Sequence, residues 1–204
     1  MTIYDLKPKF QNLLRPLCQK LANQGVTANT ITIASIVLSF IGGVCVFFAK
    51  SSLTLLWFVP LVLFLRMALN AIDGMLAREH NMKSPEGAIL NELGDVVSDA
   101  FLYLPFAYLS KVSPELIVIL IIASIIVEMT GVVAIQIGAS RRYDGPFGKS
   151  DRAFIFGLIA LLLAVGIPSG TWLNLLLIIC IALSVFTTIK RAKNALNELK
   201  EKQG

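Results

Sequence analysis

Two runs of polar residues break up apolar sequence between positions 66 and 99, both at helical spacing. Arg66, Asn70, Asp73 and Ala77 are separated by four, three and four positions, which puts them on one helix face. Gly87, Asn91, Asp95 and Asp99 recur every four residues on a second helix. Ionisable groups inside membrane helices are costly, so they face a bundle interior and mark a functional site. The alternative is polar glue, in which Asn and Asp hydrogen-bond across a helix interface. Two stripes joined by one short polar loop favour the site. Carboxylate and amide oxygens at matched depth make an oxygen-rich pocket suited to a hard cation, Mg2+ or Mn2+. Such an ion neutralises a pyrophosphate and orients it for attack. Gly74 and Gly87 let a bulky headgroup approach the backbone.

The elements that must position these residues are membrane helices. Of the 204 residues, 56% are apolar types and only 15% are charged, which excludes an ordinary soluble domain. Mean hydropathy is +0.76. Asp5, Lys7 and Lys9 precede a mixed polar segment, so no cleavable signal peptide is expected. Cys18, Cys45 and Cys180 lack metal-ligand spacing and read as buried apolar fillers. The expected fold is an all-α integral membrane protein with six transmembrane helices and an N-terminal interfacial amphipathic helix. Residues 1–26 form the interfacial segment and 27–204 the membrane domain. Phe10, Leu13, Leu14, Leu17 and Leu21 make the apolar stripe of that first helix, bent at Pro16 and ended by Asn23-Gln24-Gly25. The expected spans run over residues 30–48, 53–79, 85–109, 114–139, 150–167 and 171–189.

Basic residues set the orientation. Fifteen of the 18 Lys and Arg lie before span one, between two and three, between four and five, or after six. Lys50 and Lys111 lie on the other side, and Arg66 lies within a span. By the positive-inside rule both termini are cytoplasmic, and the two stripes open toward the cytoplasm. The net charge of +5 therefore reflects topology, and no nucleic-acid partner is expected.

Depth can be counted from the loop shared by spans two and three. Asp73 and Asn91 lie about 9 Å in, and Asn70 and Asp95 about 14 to 15 Å. Arg66 and Asp99, with Glu128 on span four, fall roughly 20 Å deep and are expected to form a structural polar cluster. The loop from Arg141 to Ser150 leads into span five, with Ser150 as the expected N-cap. Lys149 and Arg152 flank that helix N-terminus, so exposed amides and two cations would make an anion site. Basic cytoplasmic loops follow from topology alone, so this site competes with a purely topological reading.

The spacing also resembles a known signature. It reads aspartate, two residues, Asp-Gly, two residues, Ala-Arg, eight residues, Gly, three residues, Asp, three residues, Asp. Asp73-Gly74, Ala77-Arg78, Gly87, position 91 and Asp95 are similar to this signature of the CDP-alcohol phosphatidyltransferase family. The resemblance extends to the interfacial helix, to the TANTIT stretch at residues 27–32 and to six spans. It implies that an acceptor hydroxyl attacks the β-phosphorus of a CDP-linked lipid, such as CDP-diacylglycerol, and releases CMP. It implies two divalent metals on the signature aspartates, with Asp73 a ligand and Asp95 a ligand or general base. Gly74, Ala77, Arg78 and Gly87 would line the CMP site, and Lys149 and Arg152 would hold a phosphate on the acceptor alcohol. The chain departs from the signature at its first and third aspartates, which are Asn70 and Asn91. Asn ligates a hard cation through its carbonyl oxygen but adds no negative charge, so the metal set becomes Asn70, Asp73, Asn91 and Asp95 with half the charge.

Two classes of function follow. One is a membrane transferase of phospholipid biosynthesis in the bacterial inner membrane; the other is a non-catalytic relative that binds or regulates lipid. A homodimer is compatible with either.

Overall fold

The computed structural model describes residues 3–203, with side chains from residue 8 to 202. Residues 1–2 and 204, the outer ends of the segments 1–26 and 27–204, lie outside the described residues, as does the Lys7 side chain. Seven α-helices follow in order: α1 Ile3–Asn23, α2 Ala28–Phe48, α3 Phe58–Glu79, α4 Pro85–Tyr103, α5 Pro114–Gln136, α6 Lys149–Ala164 and α7 Thr171–Gln203. There is no strand among the described residues.

Among the described residues, four stretches are long and apolar enough to cross a membrane: Ala28–Phe48, Leu53–Glu79, Pro114–Gln136 and Thr171–Lys202. Their outward faces carry exposed Val37, Phe40, Phe64, Ile122, Ile126 and Phe186. Large apolar side chains on a helix surface are stable there only against lipid or a partner. α4 and α6 fall short of the six expected. α6 has only 16 residues, and α4 carries Glu86, Glu92, Asp95 and Asp99.

Several boundaries differ from the sequence expectation for identifiable reasons. The stretch opening at Leu53 is a 3-10 turn through Trp57 before α3 begins. α4 gives way at Tyr103 to a second 3-10 turn, Leu104–Tyr108, because Pro105 lacks the donor that an α-helix needs there. α5 stops at Gln136, and the chain reverses at Gly138 with φ of +90°. α1 ends where Asn23-Gln24-Gly25 predicts, with the Val26 amide bonded to the Leu21 carbonyl at 3.0 Å. It runs through Pro16 as one continuous helix.

The chain forms two compact units, Met1–Gly42 with Leu61–Leu102, and Gly43–Pro60 with Tyr103–Gly204. In the first, Cys18 of α1 is buried with Ala28, Ile31, Ile72, Met75 and Leu76, flanked by Leu14 and Leu21. The other edge of the α1 stripe, Leu13 and Leu17, stays exposed. α1 thus divides its apolar face between protein and surroundings. Arg15 and Glu79 join the ends of α1 and α3 at 3.0 Å. In the second unit α5 packs along α7. Tyr103 stacks on Phe156, with ring centroids 4.1 Å apart. Cys180 is buried and Cys45 half-buried, both free.

Candidate active site

The first unit gathers the two stripes and adds a third that the sequence reading passed over. Thr32, Ser35 and Ser39 of α2 are buried polar residues in an otherwise apolar helix. Their spacing of three and four puts them on one face. The Thr32 hydroxyl donates to Asp73 Oδ2 at 3.0 Å, and the Ser35 hydroxyl donates to Asn70 Oδ1 at 2.9 Å. Asn70 and Asp73 of α3 are therefore each oriented by a hydroxyl from α2. Hydroxyls at that period in an apolar span were the available signal.

Burial does not follow the counted depth. Asp73 is 6% exposed, while the Asp95 side chain keeps 24% exposure and Arg66 only 3%. Arg66 Nη1 lies 2.7 Å from Asp99 Oδ1, the ion pair expected of these two residues. Arg66 Nη2 also donates to the Asp95 carbonyl at 3.3 Å and lies 3.8 Å from its carboxylate. One guanidinium thus reaches both Asp95 and Asp99 of α4. Asn91 sits half-buried one turn before Asp95.

The helix starts of this unit frame a cavity of about 370 Å³ lined by Thr27, Ala28, Asn29, Met82, Lys83 and Ser84. Thr27 Oγ1 accepts from the Thr30 amide at 3.2 Å, which caps α2. Ser84 Oγ accepts from the Gly87 amide at 3.0 Å and caps α4. A Cβ at position 87 would come within 2.6 Å of Asn29 Oδ1, so glycine lets α4 close on α2. Arg78 is exposed and folds its guanidinium over Gly74, 3.1 Å from where a Cβ would stand. Ala77 packs against the core cluster around Cys18 rather than facing outward.

Among the described residues, no three His, Cys, Asp or Glu side chains gather as a metal cage. The donor set is instead two carboxylates, Asp73 and Asp95, with two amides, Asn70 and Asn91. All four donors are oxygen, so the chemistry fits a hard divalent cation. The charge fits one such ion.

The basic residues of the second unit depart from the expected arrangement. The N-cap of α6 is Gly148, not Ser150, and Asp151 Oδ2 accepts from the Gly148 amide at 2.9 Å. A carboxylate of the chain itself therefore meets that helix terminus. Arg152 is 1% exposed and lies 3.0 Å from Glu128 Oε1. Lys149 is half-buried beside it in sequence. Glu128 also receives Arg141 and Arg191, each at 3.2 Å. Glu128 is thus held by three arginines of its own unit. With α5 ending at Gln136, Glu128 is eight residues from the helix end, about 12 Å rather than 20 Å. The chain after Gly138 then runs back along α5, with the Arg142 amide bonded to the Gly131 carbonyl at 3.3 Å. A side chain at Gly131 would collide with the Arg141 guanidinium. In the same loop Arg142 grips Asp144 at 2.8 Å. Burial alone would raise the Asp144 pKa, but the hydrogen bonds and charge of Arg142 outweigh it and hold it below its ordinary value.

Comparison with known proteins is consistent with this architecture. The chain is 47% identical over 196 residues to the inner membrane protein YnbA of Escherichia coli, covering 96% of this chain and 97% of that one. Its fold matches Mycobacterium tuberculosis phosphatidylinositol phosphate synthase with CDP-DAG bound, at a TM-score of 0.73 and 20% identity, covering 88% of this chain and 92% of that one. The same synthase in complex with manganese and citrate matches at 0.72 and 20% identity, covering 89% of this chain and 88% of that one. A family model described as CDP-alcohol phosphatidyltransferase matches residues 25–190. With a near full-length relative, the fold and the signature in agreement, the chain belongs to the CDP-alcohol phosphatidyltransferase family.

Proposed function

We propose that the chain transfers a substituted phosphate group from a CDP-linked lipid, such as CDP-diacylglycerol, to an acceptor alcohol. The observation that carries this is the pairing of retained Asp73 and Asp95 with hydroxyl and guanidinium partners that fix them. Asp73, Asp95 and the amide oxygens of Asn70 and Asn91 would hold Mg2+ or Mn2+. When bound, that ion supplies charge neutralisation at the pyrophosphate. Asp95 takes the proton from the acceptor hydroxyl, whose oxygen attacks the β-phosphorus. The bond from that phosphorus to the bridging oxygen breaks, and CMP leaves with that oxygen. Gly74, Arg78 and Gly87 form the nucleotide end in this reading, while Ala77, packed against the core around Cys18, supports it from within.

The acceptor in this reading carries a phosphate. Arg141, Arg152 and Arg191 converge on Glu128, and a group of guanidiniums is a setting that suits a bound phosphate. Lys149 extends the cluster by sequence. The test is CMP release by purified protein with CDP-diacylglycerol, Mg2+ or Mn2+, and acceptors with and without phosphate. Turnover is expected only with metal and with a phosphorylated alcohol. Lys149→Ala should raise the KM for that acceptor while sparing the KM for the CDP-lipid. No CMP with any acceptor, alongside intact CDP-lipid binding, would favour the second reading, a non-catalytic lipid binder. The two asparagines at signature aspartate positions are what speak for it.

The proposed setting is a bacterial inner membrane, with α4 and α6 completing six spans, the interfacial helix at 1–26, the membrane domain at 27–204, and both termini cytoplasmic. A reporter fused after residue 204 should read cytoplasmic, and one inserted near Lys111 should read extracytoplasmic. The reverse pair of readings would invert the site.

A further inference from the structure

We propose that Glu198, on the polar end of α7, is a positioning residue that sets the arginines for the acceptor's phosphate. This rests on the acceptor reading above. After Ile189 the sequence of α7 turns from apolar to polar. Arg191, Ala195, Glu198 and Lys202 then follow at separations of four, three and four, the spacing of one helix face. That face meets the turn that follows α5. Ala195 is buried with Ala134 and Ala139, and Leu199 packs against them. Lys202 Nζ donates to the Gly138 carbonyl at 3.1 Å.

Glu198 holds this turn on both sides of Arg141. Its Oε1 accepts from the Ser140 amide at 3.0 Å. Its Oε2 accepts from the Ser140 hydroxyl at 2.7 Å and from Arg142 Nη1 at 3.0 Å. Arg141, between these two residues, reaches Glu128 Oε2 at 3.2 Å. Arg142 carries the restraint further along the chain. It grips both carboxylate oxygens of Asp144 at 2.8 Å, and the Asp144 carbonyl accepts from Arg191 Nε at 3.0 Å. Arg141 and Arg191, which both meet Glu128 Oε2, are thus tied to one segment that Glu198 fixes. A guanidinium fork recognises phosphate by direction as well as charge, so its placement governs affinity. Glu198 acts through the segment 140–144 and not on the phosphate itself.

Thermal unfolding of the purified full-length protein in detergent, scanned against inorganic phosphate at constant ionic strength, yields a phosphate dissociation constant. Each variant is read against its own phosphate-free midpoint, so lost stability alone does not move the result. The sign of the change in Glu198→Gln separates two roles. Removing a negative charge near the arginines should, by Coulomb attraction alone, tighten phosphate binding. Lost positioning should weaken it instead, and a weakening of about tenfold is expected. Binding of CDP-diacylglycerol should stay at the wild-type level. Ser140→Ala removes one hydroxyl and no charge, and should weaken phosphate about threefold. Unchanged or tighter phosphate binding in Glu198→Gln, or in Ser140→Ala where Glu198→Gln does not fold, would overturn the proposal and leave the acceptor reading in place. Equal weakening of phosphate and CDP-diacylglycerol would also overturn it, making Glu198 a general brace of the fold. A wild-type protein that binds no phosphate would remove the acceptor reading and this proposal together.

Discussion

Asp95→Asn should lower CMP release by about a hundred- to ten-thousand-fold, the range expected when a general base is lost. The substitution keeps the shape of the side chain and removes only its capacity to accept a proton. Asp95 is the half-exposed acid of the pair on α4, with 24% of its side chain accessible against 6% for Asp99. A base has to meet the acceptor hydroxyl, so accessibility favours Asp95 over the deeper residue. Arg66 Nη2 lies 3.8 Å from its carboxylate and helps to place it. Because Asn still fills the space, CDP-lipid binding and thermal stability should change far less than turnover. Asp73→Ala provides the contrast. It removes the only charged signature ligand on α3, so Mn2+ binding itself should fail along with turnover. Near-normal CMP release in Asp95→Asn would end its assignment as base and transfer the proton to another group.

The two signature stripes were legible because charged and amide side chains at a three-to-four period are rare in apolar sequence. The fold class was legible from hydropathy alone. The α2 hydroxyls were not, because Thr32 and Ser35 are small, tolerated in any apolar helix, and acquire meaning only when α2 lies against α3. The N-terminus of α6 was misjudged because its cap was placed on Ser150, which hid the role of Asp151. Glu128 was misplaced for a similar reason. Its depth was counted from Arg141, but the helix ends at Gln136, and the turn at Gly138 brings Arg141 back beside it. Helix ends set by a glycine turn are weakly encoded, and an error of a few residues there moves a side chain by a whole layer.

Glu128→Gln should be the most destabilising single change in the second unit, costing about 3 to 5 kcal/mol, as expected when one partner of a buried ion pair is removed. Glu128 is 9% exposed, and the guanidiniums of Arg152 and Arg191, at 1% and 2%, converge on it with Arg141. Each oxygen of its carboxylate is engaged: Oε1 by Arg152, Oε2 by Arg141 and Arg191. Glutamine keeps one acceptor oxygen but presents an amide donor where a guanidinium already donates, and it removes the only negative charge in the cluster. Arg191 retains its bonds to the Val127 and Asp144 carbonyls, at 2.7 and 3.0 Å, so it cannot swing away without breaking two more contacts. The arginines that converged on Glu128 should then draw an anion from solution. Thermal unfolding of Glu128→Gln in detergent should therefore recover in sulfate or phosphate more steeply than in chloride at equal ionic strength, because only a specifically bound anion stabilises by mass action. Glu128→Leu combined with Arg152→Leu should recover part of the loss, since it removes a charge of each sign. A Glu128→Gln protein as stable as the wild type, or equal recovery in chloride and sulfate, would show that the arginines are solvated rather than organised around Glu128, and would remove the basis for an anion-binding cluster.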